Sequence, residues 1–440
     1  MVQYRKIEKR NEPTTENEIN FFGKTKYRQD DRVFGIRRND RRRHLYILGR
    51  TGTGKSTLLE NMAINDIQNG EGLCFVDPHG DAAETILKAI PSPRINDVVY
   101  FNPADTEYPI GFNPIEPGAE RHLIVSNMMA VFEKIFFQGG NFASQAPQLT
   151  HILRHTLYAV MESQDSTLLS VQKMLIDEKY RNKIVKRITD PVIKQFWTVE
   201  FPNSILKRRD DPLASTLNKI GQFLTVPMLR NILGQPKSSF DLRDIMDNQK
   251  IFIVNLSKGK LGEDNSNLLG AMLITKIFIA AMSRVNIPEA ERKDFYAYID
   301  EFQNFSTESL AGILSEARKY RLSLILANQY IEQLIDTVRN AIFGNCGTII
   351  SFRIGAKDAE ELEKELTPFK REDFVDLPNF NFYIREMIDG ENGNAFSAVG
   401  LPPKNLEETE GNEEKVIRQS RSRYCKSRPE VEKNISNWTR

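Results

Sequence analysis

Short apolar runs separated by amphipathic stretches set the pattern of this chain. Val33–Ile36 and His44–Leu48 read as two strands, with Asn39-Asp40 supplying a turn between them and Arg41-Arg42-Arg43 following it. From Leu45 onward, strand-length runs alternate with helical periodicity. LYIL (45–48) leads to a helix from about Lys55 to Asn69, which Gly70 and Gly72 end. LCFVD (73–77), a helix near Ala82–Ala89 and the run Val98–Phe101 follow. Wholly apolar strands joined through helices predict a parallel sheet covered on both faces. Then the pattern changes. Across 121–247 the periodicity is helical almost throughout, clearest at Ile124–Phe137, Gln148–Met161 and Leu213–Leu224. Alternation resumes with KIFIVNL (250–256), a long apolar helix and FYAYID (295–300). A helix over Thr307–Tyr320 and the runs LSLILA (322–327) and GTIISF (347–352) come next, and a strand pair lies within 380–401.

The fold class this predicts is α/β: a domain with a predominantly parallel sheet, interrupted by an inserted all-α domain. The expected divisions are an unstructured N-terminal arm over 1–30 and the first part of the α/β domain over 31–120. The helical insertion spans 121–247, the second part of the α/β domain 248–403, and a charged tail 404–440. Composition narrows the setting. A 40% hydrophobic and 27% charged chain is that of a globular protein, and a net charge of +1 carries no overall field for a polyanion. The three cysteines, Cys74, Cys346 and Cys425, have neither metal-ligand spacing nor a disulfide framework, which suits a reducing cytoplasm. The longest apolar stretch, Leu268–Met282, contains Lys276 and falls short of the roughly 20 residues that span a bilayer, so it reads as a buried helix.

Chemistry enters at the end of the first buried strand. Gly49-Arg50-Thr51-Gly52-Thr53-Gly54-Lys55-Ser56 fits G-x-x-x-x-G-K-[ST], entered by a strand and followed at Thr57 by a helix. Glycines there let successive N–H groups turn inward around phosphate oxygens, and the helix N-terminus faces the same oxygens. Lys55 is expected to reach the β- and γ-phosphates of ATP and the Ser56 hydroxyl to ligate Mg²⁺. Asp300 and Glu301 end the apolar run FYAYI, and strand carboxyl ends line the ligand crevice of parallel sheets. Asp300 is therefore expected in the Mg²⁺ shell, with Glu301 polarising the attacking water. Gln329 ends the next run and suits orienting that water or sensing the γ-phosphate, with an ordinary loop glutamine as an equal alternative. Arg318 and Arg353, beside strands, are candidates for a charge-stabilising finger, although a surface arginine is the commoner outcome for each. Asp77, closing LCFV, is expected to support the Mg²⁺ shell or the loop.

The segments GRTGTGKST, VDPHGD, FYAYIDEF, ARKYRLSLILANQY and GTIISFRIGAKDAEEL, in that order, resemble the TraD/TraG-like conjugative coupling ATPases of the FtsK–HerA superfamily. The resemblance covers roughly Asn39–Leu366, helical insertion included. It implies a RecA-like motor that assembles as a homo-hexamer and moves DNA from a relaxase complex to a type IV secretion channel. By the same matching, Lys55 and Ser56 take the Walker A roles and Asp300 and Glu301 the Walker B roles. Gln329 falls on the family's glutamine, and Arg318 and Arg353 on arginines at the subunit interface. Many members carry N-terminal transmembrane helices and no such run occurs here, so the expected location is cytoplasmic, peripheral at the inner membrane face through partners.

The residues themselves argue only weakly for DNA. Arg37, Arg38 and Arg41–Arg43 form one basic cluster and Lys207, Arg208 and Arg209 another, and most such runs are solvated faces. DNA as cargo rests on the resemblance. A HerA-like repair translocase, a protein-secretion ATPase and a non-hydrolysing nucleotide-dependent scaffold stand as alternatives.

Overall fold

The computed structural model describes residues 18–26, 31–116, 121–137, 147–205, 212–409 and 411–439. Its strands are β1 (Ile19–Thr25), β2 (Val33–Arg37), β3 (Leu45–Leu48), β4 (Gly72–Asp77), β5 (Val98–Phe101), β6 (Ile251–Asn255) and β7 (Phe295–Ile299), followed by β8 (Leu322–Asn328), β9 (Thr348–Ser351), β10 (Asn381–Arg385), β11 (Met387–Ile388), β12 (Glu391–Asn392) and β13 (Phe396–Gly400). Among the described residues, an 11-stranded sheet runs β2-β1-β13-β10-β9-β3-β8-β7-β4-β6-β5, and β11 and β12 form a separate pair. From β9 to β5 every pairing is parallel; from β9 to β2 every pairing is antiparallel.

Period-2 alternation divides the core. Leu45 and Ile47 of β3 face the helix Lys55–Gln68 through Leu58, Leu59 and Met62, whereas Tyr46 and Leu48 belong to the opposite core with Leu268, Leu269 and Met272. Every residue of β3, β4, β6, β7 and β8 is buried. The helix Glu263–Met282 is apolar and long enough to cross a membrane by length and composition, yet most of its apolar window is buried within this core. Between the neighbouring strands β5 and β6, the described residues of 121–247 form helices joined by turns and loops, with no strand among them, from the helix Arg121–Phe137 to Leu242–Asp247.

The structure departs from the sequence reading in several places. Residues read as an unstructured arm contain β1, which pairs with β13 and β2 and buries Phe22. No turn forms at Asn39-Asp40; Arg38–Arg41 is a short helix, and β2 lies at the sheet edge rather than beside β3. The charged tail, for which frayed and helical states were both open, is helical: Asn412–Tyr424 and Arg428–Thr439 pack onto the body through buried Val416, Val431 and Ile435.

The first basic cluster is a set of ion pairs. Arg37 pairs with Asp389, Arg38 with Glu71, and Arg42 makes a two-point contact with Asp294. Arg41 is buried, holds Asp66 through both guanidinium NH₂ groups at 2.6 and 2.7 Å, and lies 3.7 Å over the Tyr296 ring. This buried pair locks the helix Lys55–Gln68 to the Arg38–Arg41 helix, and the Tyr298 hydroxyl of β7 bonds with both partners; removing either charge would strand the other in the core. The second cluster, Lys207–Arg209, lies outside the described residues.

Candidate functional site

Strand register decides which residues meet. Leu48 is level with Asn328 of β8 and Ser351 of β9, and Ile299 of β7 is level with Leu326 of β8 and Val76 of β4. The carboxyl ends of β3, β8, β7 and β4 therefore bring Gly49, Gln329, Asp300 and Asp77 to one edge of the sheet. The helix Lys55–Gln68 starts at the same edge. Gly52 at φ +76° and Gly54 at φ +116° occupy the left-handed region that glycine adopts without a side-chain penalty. A Cβ on Gly49 would lie 2.6 Å from the Phe352 Cβ and 2.9 Å from the Thr53 hydroxyl. Thr53 Oγ1 donates to the Arg50 carbonyl at 2.7 Å, which fixes the loop between the two glycines.

Lys55 is 5% exposed, and its ammonium donates to the Gly49 carbonyl at 2.5 Å and the Arg50 carbonyl at 3.4 Å. Burial lowers its pKa, against the pull of Asp300 and Glu301. Ser56 Oγ donates to Asp300 Oδ2 at 3.5 Å across 244 residues of chain. The Glu301 N–H donates to Asp300 Oδ1 at 2.9 Å, which orients that carboxylate toward Ser56. Burial and then the Glu301 charge push Asp300 up to about 6, with Lys55 opposing. A group of opposite charge between Ser56 and Asp300 would relieve that cost, so the oxygen donors and their electrostatics fit a hard divalent cation.

Glu301 stands in the left-handed region at φ +45°, an uncommon place for a residue with a side chain and one where functional sites store strain. Both of its carboxylate oxygens are held: Gln329 Nε2 donates to Oε1 at 2.7 Å and Gln303 Nε2 to Oε2 at 2.6 Å. Thr51 of the glycine loop donates to Gln329 Oε1 at 3.1 Å, so loop, glutamine and glutamate form one connected chain. The chain continues into the helical insertion. Lys134, on the helix Arg121–Phe137, donates to the carbonyls of Gln303 and Ser306, each at 2.6 Å, and burial lowers its pKa to about 8.

The arginines separate. Arg353 lies at the loop's edge of the sheet: its carbonyl accepts from Arg50 N at 2.9 Å and its guanidinium donates to Asn379 at 2.8 Å. Arg318, exposed, precedes β8 at the opposite edge, near His44. Asp77 has both oxygens occupied by the His79 and Ala83 N–H groups, at 2.8 and 2.9 Å, and so holds the first turn of the helix Asp81–Lys88. The sequence reading missed Gln303, Lys134 and Glu60. Glu60, one turn beyond Ser56, is pushed up to about 7 by burial and by Asp77, Asp300 and Asp81. A lone lysine inside VFEKIFF and a glutamine two places after the acid pair were the only signals in the sequence.

Residues 294–365 match a family described as the TraM recognition site of TraD and TraG. Over 381 residues the chain is 21% identical to the type 4 coupling protein DotL of Legionella pneumophila, covering 72% of this chain and 47% of the relative. The chain thus spans about half the length of the curated relative it matches. Among solved structures it resembles the plasmid coupling protein TrwB in complex with ADP and Mg²⁺, with TM-score 0.60 and 17% identity over 86% of this chain and 90% of that one. VirB4 of Thermoanaerobacter pseudethanolicus gives TM-score 0.61 and 13% identity over 90% of this chain and 100% of the other. At these identities the likeness establishes the fold alone, a RecA-like P-loop fold.

Proposed function

We propose that this chain, whose family match, curated relative and fold support a TraD/TraG-like coupling protein, is an ATP-hydrolysing motor that delivers DNA to a type IV secretion channel. One observation carries the catalytic part. The Ser56 hydroxyl and the Asp300 carboxylate face each other at 3.5 Å beside the glycine loop, with Glu301 next to them. ATP is the substrate, and Mg²⁺, held by Ser56 and Asp300, would supply neutralisation of phosphate charge.

Each residue's part follows from its surroundings. The N–H groups of the loop Gly49–Thr57 cradle the phosphates. Lys55, now bonded to the carbonyls of Gly49 and Arg50, turns outward to the β- and γ-oxygens. Glu301 accepts hydrogen bonds from two amides and polarises the attacking water from a fixed position. Gln329 bridges Glu301 and Thr51, which suits a group that registers whether the loop is filled. Arg353 steadies the same chain's loop, and Arg318 serves a neighbouring subunit of a homo-hexamer. Relaxase and secretion-channel components are the partners this reading implies, and the segment matching the TraM recognition site is a place to seek them.

A second reading keeps the motor and changes the cargo. Four of the five arginines before the loop are committed to carboxylates, which removes the most visible DNA-contacting surface and favours a protein cargo. Phosphate release by the full chain, measured with single- or double-stranded DNA, separates the two. The leading reading expects DNA to raise turnover, Lys55→Ala to abolish it, and Glu301→Gln to cut it by about 10²–10⁴-fold with ATP still bound. Turnover indifferent to DNA points to protein cargo. ATP binding without phosphate release would leave only a nucleotide-dependent scaffold.

A further inference from the structure

The loop's phosphate contacts say nothing about where the other end of a nucleotide rests. The order of strands does. The acid pair follows β7 and Gln329 follows β8, both on one side of β3, whereas β9 and β10 lie on its other side. A triphosphate seated in the loop with its terminal phosphate toward Asp300, Glu301 and Gln329 thus carries its nucleoside toward the β9–β10 side.

Phe380 stands there. It is the residue before β10, 52% exposed, with φ at +66°. Exposure of one aromatic ring is ordinary, and a left-handed aromatic residue is not. The backbone on both sides enforces the conformation: the Phe380 N–H donates to the Thr53 carbonyl at 2.8 Å, and its carbonyl accepts from Gly400 N at 2.8 Å. The ring lies so close to the loop that a Cβ on Gly54 would be 3.0 Å from Phe380 Cδ1. Phe352 and Phe382, the neighbouring aromatics, are buried and pack on each other at 5.3 Å, and the same Gly54 Cβ would be 3.2 Å from the Phe352 ring, so of these three aromatics beside the loop Phe380 alone is exposed. Asn379, just before it, is held by Arg353, whose own carbonyl holds Arg50 of the loop. A strained, exposed ring tied through its backbone to the phosphate loop costs folding energy and buries little, which marks it as a group kept for a ligand.

We propose that Phe380 is the platform on which the base of the bound nucleotide stacks. This rests on the ATPase reading and deepens it. Every base has a π-face, so the platform accepts adenine and guanine alike and leaves selection for the triphosphate to the loop.

Equilibrium binding of ATP and of inorganic tripolyphosphate to the full chain, wild type against Phe380→Ala and Phe380→Tyr, tests it. Tripolyphosphate carries the loop's contacts without a base. Phe380→Ala should weaken ATP about 10-fold or more, leave tripolyphosphate within about 2-fold, and Phe380→Tyr should restore ATP. Equal weakening of both ligands would show that Phe380 only shapes the loop, and unchanged ATP binding would remove it from the site; either overturns the platform while ATP binding by the wild type preserves the ATPase reading. A wild-type chain that binds neither ligand overturns both.

Discussion

At the residue scale, Glu386 shows how little a side chain's sequence neighbours say about its electrostatics. It sits between the strands β10 and β11, 7% exposed, and burial together with the Asp40 carboxylate pushes it up to about 8, against the pull of Arg37. A carboxyl whose pKa is higher in the folded chain than in the unfolded one binds the extra proton when folded, so stability falls as pH rises from 4.5 to about 8. Glu386→Gln should therefore match the wild type below about pH 4.5 and melt at higher temperature above pH 8. The gain is bounded by about 5 kcal/mol from the shift alone and reduced by local relaxation. Thermal melts across that range check it, and parallel profiles for the two proteins would refute the assignment. The arginines before the loop teach the same lesson in reverse. Their clustering was plain in the sequence, but their partners Asp66, Glu71, Asp294 and Asp389 are scattered along the chain, and only the fold shows that these charges are spent internally.

Elements were legible to the extent that burial is local. The largely apolar, wholly buried runs at β3, β4, β6, β7, β8 and β9 announced themselves, and so did the glycine loop and the acid pair, because each lies directly at a strand end. β1 was not legible. INFFGKT buries only part of itself and is stabilised by pairing with β13, more than 370 residues away, which no local pattern encodes. Lys134 escaped notice for a related reason, since its partners are backbone carbonyls of a turn that only the fold brings near. That turn is also where helix packing meets the site. In the helix Glu263–Met282, a Cβ on Gly270 would lie 2.3 Å from the Phe305 ring, and Phe305 directly precedes Ser306, which Lys134 holds. Gly270→Ala gains about 1 kcal/mol in helix propensity and meets overpacking of about 1–3 kcal/mol against a buried ring. The balance predicts net destabilisation by about 1 kcal/mol. The displaced ring should also disturb the Phe302–Asn304 turn and lower turnover through Gln303 and Glu301. Denaturant titration and phosphate release, measured together, check both; a variant as stable and as fast as wild type would mean that the Phe305 contact is slack.

At the scale of the whole molecule, two sheet edges carry different work. The edge at the carboxyl ends of the parallel strands holds Lys55, Ser56, Asp300, Glu301, Gln329 and Arg353. Arg318 is at the other edge, and the length of β8 between it and Gln329 amounts to roughly 20 Å at the usual rise per residue. No arginine side chain spans that distance, so Arg318 can stabilise charge on a phosphate only in a neighbouring subunit. Head-to-tail contacts place one edge of each copy against the other edge of the next, and such contacts close into rings when the rotation permits. Arg318→Ala assembled alone should lose about 10³–10⁵-fold in turnover if it acts as a finger, and Lys55→Ala alone should be inactive. Mixed in equal amounts, the two variants supply different halves of a site. An intact loop from the Arg318→Ala copy then faces an intact Arg318 from the Lys55→Ala copy at roughly a quarter of the interfaces in a random head-to-tail assembly. Phosphate release should therefore recover on mixing to a sizeable fraction of the wild-type rate. A mixture no faster than its components would show that the site is complete within one chain, and the structure would then have to supply the missing positive charge from Arg353, the arginine already tied to the loop.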